Sequence, residues 1–356
     1  MKILITGNMG YVGPWVVRQL REWQPDATLA GLDLGYFAHC LTSADTLPER
    51  RVDVQHFGDV RDTDARLLEG VDCIVHLAAI SNDPMGHAFE AVTEEINHRA
   101  TIRLAKLARA AGVRTFVFAS SCSVYGFAEE GARTERSEVN PLTAYARSKV
   151  WSERDLEPLA GPEFRVVCLR FPTACGMSDR LRLDLVLNDF VAGAVATRRI
   201  TVLSDGTPWR PLINVRDMAR AIEWAVGEEG RVAPPYLVVN AGRDEGNYQV
   251  RTLAEAVAGV IPGVEISINK NAPPDRRSYR VDFALYGRLA PNHLPQLDLR
   301  RTIQDLRTGL EGMGFADPGF RNSSLMRLNA LSGLRQRGLL NEQLQWTQAA
   351  RALSYA

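Results

Sequence analysis

The chain has no closely spaced cysteine pair, no excess of charge of either sign and no apolar run long enough to cross a bilayer. Its five cysteines (Cys40, Cys73, Cys122, Cys168 and Cys175) are scattered and odd in number, and no Cys-x-x-Cys occurs. Such spacing indicates neither a disulfide framework nor a zinc site, so no metal is expected. Free thiols fit a reducing cytoplasm. Lys and Arg total 42, and so do Asp and Glu. A neutral chain has no general attraction for nucleic acid or an anionic membrane. A membrane span needs a longer apolar stretch than any found here. The opening MKILITG reads as a strand, not as the basic-then-apolar leader of an exported protein. There is no internal repeat and no low-complexity linker.

What is present is an ordinary globular composition, 46% hydrophobic and 24% charged over 356 residues, enough for a large core. The first half alternates strand and helix patterns. KILIT, ATLAGLD, VDVQHF, DCIVHLA, TFVFAS and FRVVCLR read as strands, GPWVVRQLREW as a helix, and Ala88–Ala111 as a long helical stretch. Strands separated by helices imply right-handed crossovers and a parallel sheet covered on both faces. The expected fold is therefore α/β, a doubly wound parallel sheet of Rossmann type with a smaller mixed α/β lobe for substrate. The expected division is 1–171 for a dinucleotide-binding domain, to which some later segments return, 172–320 for the substrate lobe and 321–356 for a helical tail. In the second part, helices are expected near Arg182–Thr197 and Val215–Gly227, with short strands ITVL and YLVVN. NAPPDRRSYR, Asn271–Arg280, reads as a loop.

Gly7-Asn8-Met9-Gly10-Tyr11-Val12-Gly13 follows a strand and opens a helix. Gly7 permits the tight turn, Gly10 lets the backbone approach a pyrophosphate, and Gly13 allows close helix–sheet packing. The helix N-terminus offers free N–H groups and positive potential to the anion. The Gly-x-x-Gly-x-x-Gly spacing is shifted from the commoner Gly-x-Gly-x-x-Gly fingerprint. Asp33 ends the second strand, where a carboxylate binds ribose hydroxyls and repels a 2′-phosphate; this favours NAD over NADP. Asp59, after the third strand, is placed for an adenine contact.

TFVFAS runs into Ser121, and Tyr145 and Lys149 follow in a helical pattern. Residues four apart share a helix face. A nearby ammonium favours a phenolate, which would make Tyr145 a usable base, and Ser121 at a strand end can bond the same substrate oxygen.

TGNMGYVG, Asp33, HLAA, SSCSVYG, YARSK and WRPLINVRD together resemble the extended short-chain dehydrogenase/reductases, especially nucleotide-sugar epimerases related to UDP-glucose 4-epimerase. The resemblance covers roughly residues 1–285. It implies that Tyr145 is the catalytic base, that Lys149 holds the nicotinamide ribose and lowers the phenol's pKa, and that Ser121 is the family's Ser/Thr. It places Met9, Tyr11, Val12, Val60, Leu77, Ala78, Ala79 and Ala119 along NAD. Asn97 matches a helix residue supporting that site, and Phe171 and Thr173 are expected near nicotinamide and sugar. On the substrate side it implies diphosphate contact by Arg210, nucleotide or sugar contact by Ser123 and Asn188, and a second contacting loop bearing Asp275 and Arg277. It also implies a homodimer built on the helices near Ala88–Ala111 and Thr143–Leu159.

Departures narrow the chemistry. Sugar 4,6-dehydratases of this family carry an Asp-Glu pair just after the Ser/Thr; here Cys122 and Ser123 stand there. Cys122 reads either as a substrate contact or as a small buried residue. The expected activity is NAD-dependent epimerisation of a nucleotide sugar, with C4 as the expected centre, through a transient keto sugar. A keto-sugar reductase or dehydrogenase of the same fold and a non-catalytic dinucleotide sensor remain open alternatives.

Overall fold

The chain was studied as a computed structural model, which describes residues 1–43, 46–128, 131–227, 234–272, 278–348 and 350. Its strands are β1 (Lys2–Thr6), β2 (Thr28–Asp33), β3 (Val54–Phe57), β4 (Cys73–His76), β5 (Thr115–Ser121), β6 (Ala132–Arg133), β7 (Arg165–Phe171), β8 (Thr173–Cys175), β9 (Arg199–Val202), β10 (Trp209–Asn214), β11 (Tyr236–Asn240), β12 (Asn247–Gln249), β13 (Glu265–Ile268) and β14 (Arg280–Val281). Seven of them form one sheet in the order β3-β2-β1-β4-β5-β7-β11, every neighbouring pair parallel. β11 comes from the second half of the chain and edges this sheet. The strand order reverses between β1 and β4. In a doubly wound sheet that reversal opens a crevice at the carboxyl ends of the strands.

The helices are α1 (Gly13–Trp23), α2 (Asp83–Ala88), α3 (Glu90–Glu94), α4 (Ala100–Ala110), α5 (Ala144–Leu156), α6 (Val186–Thr197), α7 (Val215–Val226), α8 (Val250–Val260), α9 (Ala284–Leu289), α10 (Leu299–Gly312) and α11 (Arg327–Gln336). Successive strand side chains point to opposite faces. Ile3 and Ile5 therefore enter one core with Val16 and Leu20 of α1 and Ile222 and Trp224 of α7. Leu4 enters the other, with Leu104 of α4 and Leu156 of α5. Every residue of β7 is buried, as both-face coverage requires. Strands β12-β10-β8, β13-β9 and β14-β6 form small separate sheets, and α6 packs against α8 and α10.

Two helical expectations are corrected. The stretch Ala88–Ala111 is divided: α2 ends at Ala88, Phe89 leaves helical geometry, and Glu95–Arg99 form a widened π turn before α4. Residues Arg182–Leu185 are not helical; α6 begins only at Val186. The cause is legible afterwards. Arg180-Leu181-Arg182-Leu183-Asp184-Leu185 alternates polar and apolar, a period of two that suits extended chain. Among the described residues, no helix is long and apolar enough to cross a membrane.

Candidate active site

A cleft of about 890 Å³ opens at the β1/β4 reversal. Gly7, Gly10, Tyr11, Val12 and Gly13 line it at the start of α1. Gly7 has φ +75°, and a Cβ there would sit 2.6 Å from the Ala78 backbone nitrogen. A Cβ at Gly13 would meet the Asn8 carbonyl oxygen at 2.1 Å. No side chain caps α1; Pro14 carries no N–H and the Trp15 N–H bonds the Val12 carbonyl at 3.2 Å, which leaves the Gly13 N–H of the first turn for an anion. Asp33 takes hydrogen bonds on both oxygens, from the Met9 N–H at 3.0 Å and the Gly35 N–H at 2.8 Å. Burial nonetheless pushes its pKa up. Asp59 and Val60 line the cleft, and Asp59 is paired with Arg61 at 2.5 Å. Leu77, Ala78, Ala79, Ala119, Phe171 and Thr173 line it too.

Two expected cofactor residues are absent from the cleft wall. Met9 contributes its N–H to Asp33. Asn97, on the π turn, uses its amide on both backbone groups of Ile80 and donates to Ser148 Oγ at 3.1 Å. It braces the loop after β4 against α5.

The chemical residues converge on the same cleft. Thr143 caps α5 by accepting from the Ala146 N–H at 3.1 Å. That start presents Tyr145 and, one turn on, Lys149. Ser121, at the end of β5, lies beside the Tyr145 phenol and draws its pKa down. The Lys149 amine donates to the Ala119 carbonyl at 2.7 Å and lies 5.6 Å from the Tyr145 ring centre. Burial holds its pKa down to about 8. Burial pushes the phenol up to about 12. Ser121 and the Arg182 guanidinium pull it down.

The model of the NAD dependent epimerase/dehydratase family matches residues 3–242. The chain belongs to that family. An uncharacterized UDP-glucose epimerase of Bacillus subtilis is 30% identical over 273 residues, covering 73% of this chain and 83% of the relative. The dTDP-glucose 4,6-dehydratase of Streptomyces griseus is 29% identical over 286 residues, covering 79% and 85%. The structure of UDP-glucuronic acid 4-epimerase from Bacillus cereus, in complex with UDP-glucuronic acid and NAD, superposes with a TM-score of 0.73 at 21% identity over 88% of this chain and 100% of that one. The residues present fit the NAD of this epimerase/dehydratase family: glycines where a Cβ would clash, an uncapped helix start, and a half-buried carboxylate closing β2.

The far side of this family cleft is built by later segments. Arg210 of β10 lines it, close enough to Tyr279 to act on its phenol. Ser123 lines it with a buried hydroxyl that has no partner among the described residues. Cys122 is turned away; its thiol is fully buried and donates to the Arg170 carbonyl at 3.2 Å. The expectation for Asn188 is corrected. Its side chain is fully buried, accepts from Gly176 N–H at 3.0 Å and donates to the Tyr11 hydroxyl and the Arg182 carbonyl, both at 2.9 Å. It holds the protein's own loops and does not line the cleft. Asp275 and Arg277 lie outside the described residues.

Several lining residues were not anticipated. Arg182 pairs with Asp184 at 2.7 Å and donates to Ser81 Oγ at 3.0 Å, while Asn82 bonds the same Asp184 at 2.5 Å. The two-residue alternation around Arg182 was the available signal. Arg327, from the tail, also reaches the cleft; nothing in its local pattern distinguishes it from a surface arginine.

Proposed function

We propose that the protein is an NAD-dependent nucleotide-sugar epimerase acting at C4. The observation that carries this reading is the convergence of Ser121, Tyr145 and Lys149 on one cleft, where Cys122 and Ser123 follow Ser121. Proton transfer at one hydroxyl is provided for, and the carboxyl pair that elimination uses is missing from that position. Bound NAD supplies the acceptor and later the donor of the sugar's hydride. Tyr145 takes the hydroxyl proton and returns it, and Ser121 holds the same oxygen through its own hydroxyl. Lys149, anchored on Ala119, holds the nicotinamide ribose. Arg210 engages the diphosphate, for which a guanidinium offers two donors. Ser123, with its unmatched hydroxyl, contacts the sugar. The activities of similar proteins, a UDP-glucose epimerase and a UDP-glucuronic acid 4-epimerase, support a UDP-sugar as substrate.

The same reading includes a homodimer through the faces of α4 and α5, in a cytoplasmic enzyme. Purified protein incubated with UDP-, dTDP- and GDP-sugars should interconvert one pair of C4 epimers with no net NADH formed. Stoichiometric NADH, or loss of water or carbon dioxide from the sugar, would replace the epimerase with a dehydrogenase, dehydratase or decarboxylase.

A further inference from the structure

The tail beyond residue 320 carries α11, outside the matched family segment, and closes the Asp33 end of the cleft. Leu331, Leu334, Leu340 and Leu344 are buried in the same core as Leu4 and Leu32. Trp346 Nε1 donates to the Leu34 carbonyl at 2.7 Å, and Arg61 donates to the Gln343 carbonyl at 2.8 Å. The Tyr36 hydroxyl donates to the Leu344 carbonyl. On its other side the tail meets the second lobe: Arg321 pairs with Asp189 of α6 at 2.8 Å, and the Leu183 N–H donates to the Leu325 carbonyl at 2.9 Å. The tail thus ties the loop after β2 to α6.

At the centre of this strap stands Arg327. It lines the cleft yet is only 2% exposed. Its Nη2 donates to the Arg180 carbonyl at 2.8 Å, and its guanidinium lies 4.4 Å from the Phe37 ring centre. Among the described residues its Nη1 has no hydrogen-bond partner. Asp184, the carboxylate that acts on it, is already held by Arg182 at 2.7 and 2.9 Å. A buried charged donor left unmatched is costly, and an anion would remove that cost. Two further observations say where the anion lies. Arg327 lines the same cleft as Gly7, Gly10 and Gly13. And α11 starts at Arg327 with no side-chain cap, so its free N–H groups add positive potential to the same corner.

We propose that Arg327 donates to the pyrophosphate of NAD together with the Gly7–Gly13 cradle, making the tail a clasp that retains the cofactor. This rests on the NAD reading of the cleft. Full-length protein, stripped of nucleotide, is titrated by calorimetry with ADP-ribose and with adenosine. Arg327→Gln should weaken ADP-ribose binding by about tenfold or more and leave adenosine within about twofold. Unchanged ADP-ribose affinity, or an equal loss for adenosine, overturns the proposal. Should the variant fail to fold, hydrogen exchange of the unmodified protein decides: ADP-ribose should protect the amides of residues 327–331 beyond what adenosine does, and equal protection overturns it. Unmodified protein that binds neither ADP-ribose nor NAD would instead bring down the NAD reading itself.

Discussion

In the protein without ligand, the Tyr145 phenol resists ionisation more than free tyrosine, because burial outweighs the help of Ser121 and Arg182. On the proposed reading Ser121 is a working part of the base. Tyr145→Phe should lower kcat by about 10²- to 10⁴-fold while bound NAD stays unchanged. Steady-state rates and the nucleotide content of the purified variant check both halves. Ser121→Ala should move the rising limb of the pH–rate profile to higher pH, since it removes a donor to the phenolate. An unmoved limb would free Ser121 from that role. His76 makes a second residue-scale case. Its imidazole is enclosed between the hydroxyls of Thr6 (2.7 Å) and Thr101 (2.8 Å), and burial, with Lys149 nearby, holds its pKa down to about 3. The unfolded chain takes up that proton near pH ~6.5, so between these values it binds more protons than the folded chain. Stability should therefore fall as pH drops below ~6.5, by about 1.4 kcal/mol per pH unit, until near pH ~3. His76→Asn should flatten this slope in denaturant melts taken from about pH 7 to about pH 4.

At the scale of the element, the readable parts are those where one local rule settles the geometry. KILIT and TFVFAS are apolar runs bounded by turns, and they become β1 and β5. Gly7 and Gly13 announce a turn that the structure closes against Ala78 and Asn8. Tyr145 and Lys149 need only helical spacing to share the cleft. The less readable parts depend on partners distant in the chain. Arg182–Leu185 is extended because Asp184 and Arg182 turn toward Ser81 and Asn82, a hundred residues earlier. Asn188 sits in the first turn of α6, where sequence alone cannot separate a nucleotide contact from the loop brace it proves to be. Three hydrogen bonds tie it to Gly176, Tyr11 and Arg182. Asn188→Ala should cost about 1–3 kcal/mol of stability, with KM for the nucleotide sugar little changed. A selective rise in KM without a loss of melting temperature would return it to the substrate site.

For the molecule as a whole, the doubly wound sheet follows from strand alternation, but the closure of the cleft does not. β11 joins the sheet beside β7 after more than sixty intervening residues, and the tail crosses back to the opposite end, over Leu34 and Tyr36. Helical apolar spacing in the tail shows that it packs, and leaves open on what. In the structure Leu331 and Leu344 are wholly buried and Leu334 and Leu340 nearly so, in the core beneath β2. Burial of such a side chain contributes about 1.5–3 kcal/mol, so four contribute roughly 6–12 kcal/mol. That is comparable with the whole net stability of a typical domain, about 5–15 kcal/mol. The tail is therefore part of the fold and not an appendage on it. A chain ending at residue 320 should lose its cooperative thermal transition or fall out of solution. A sharp melt within a few degrees of the full chain would show that the core under β2 closes without the tail.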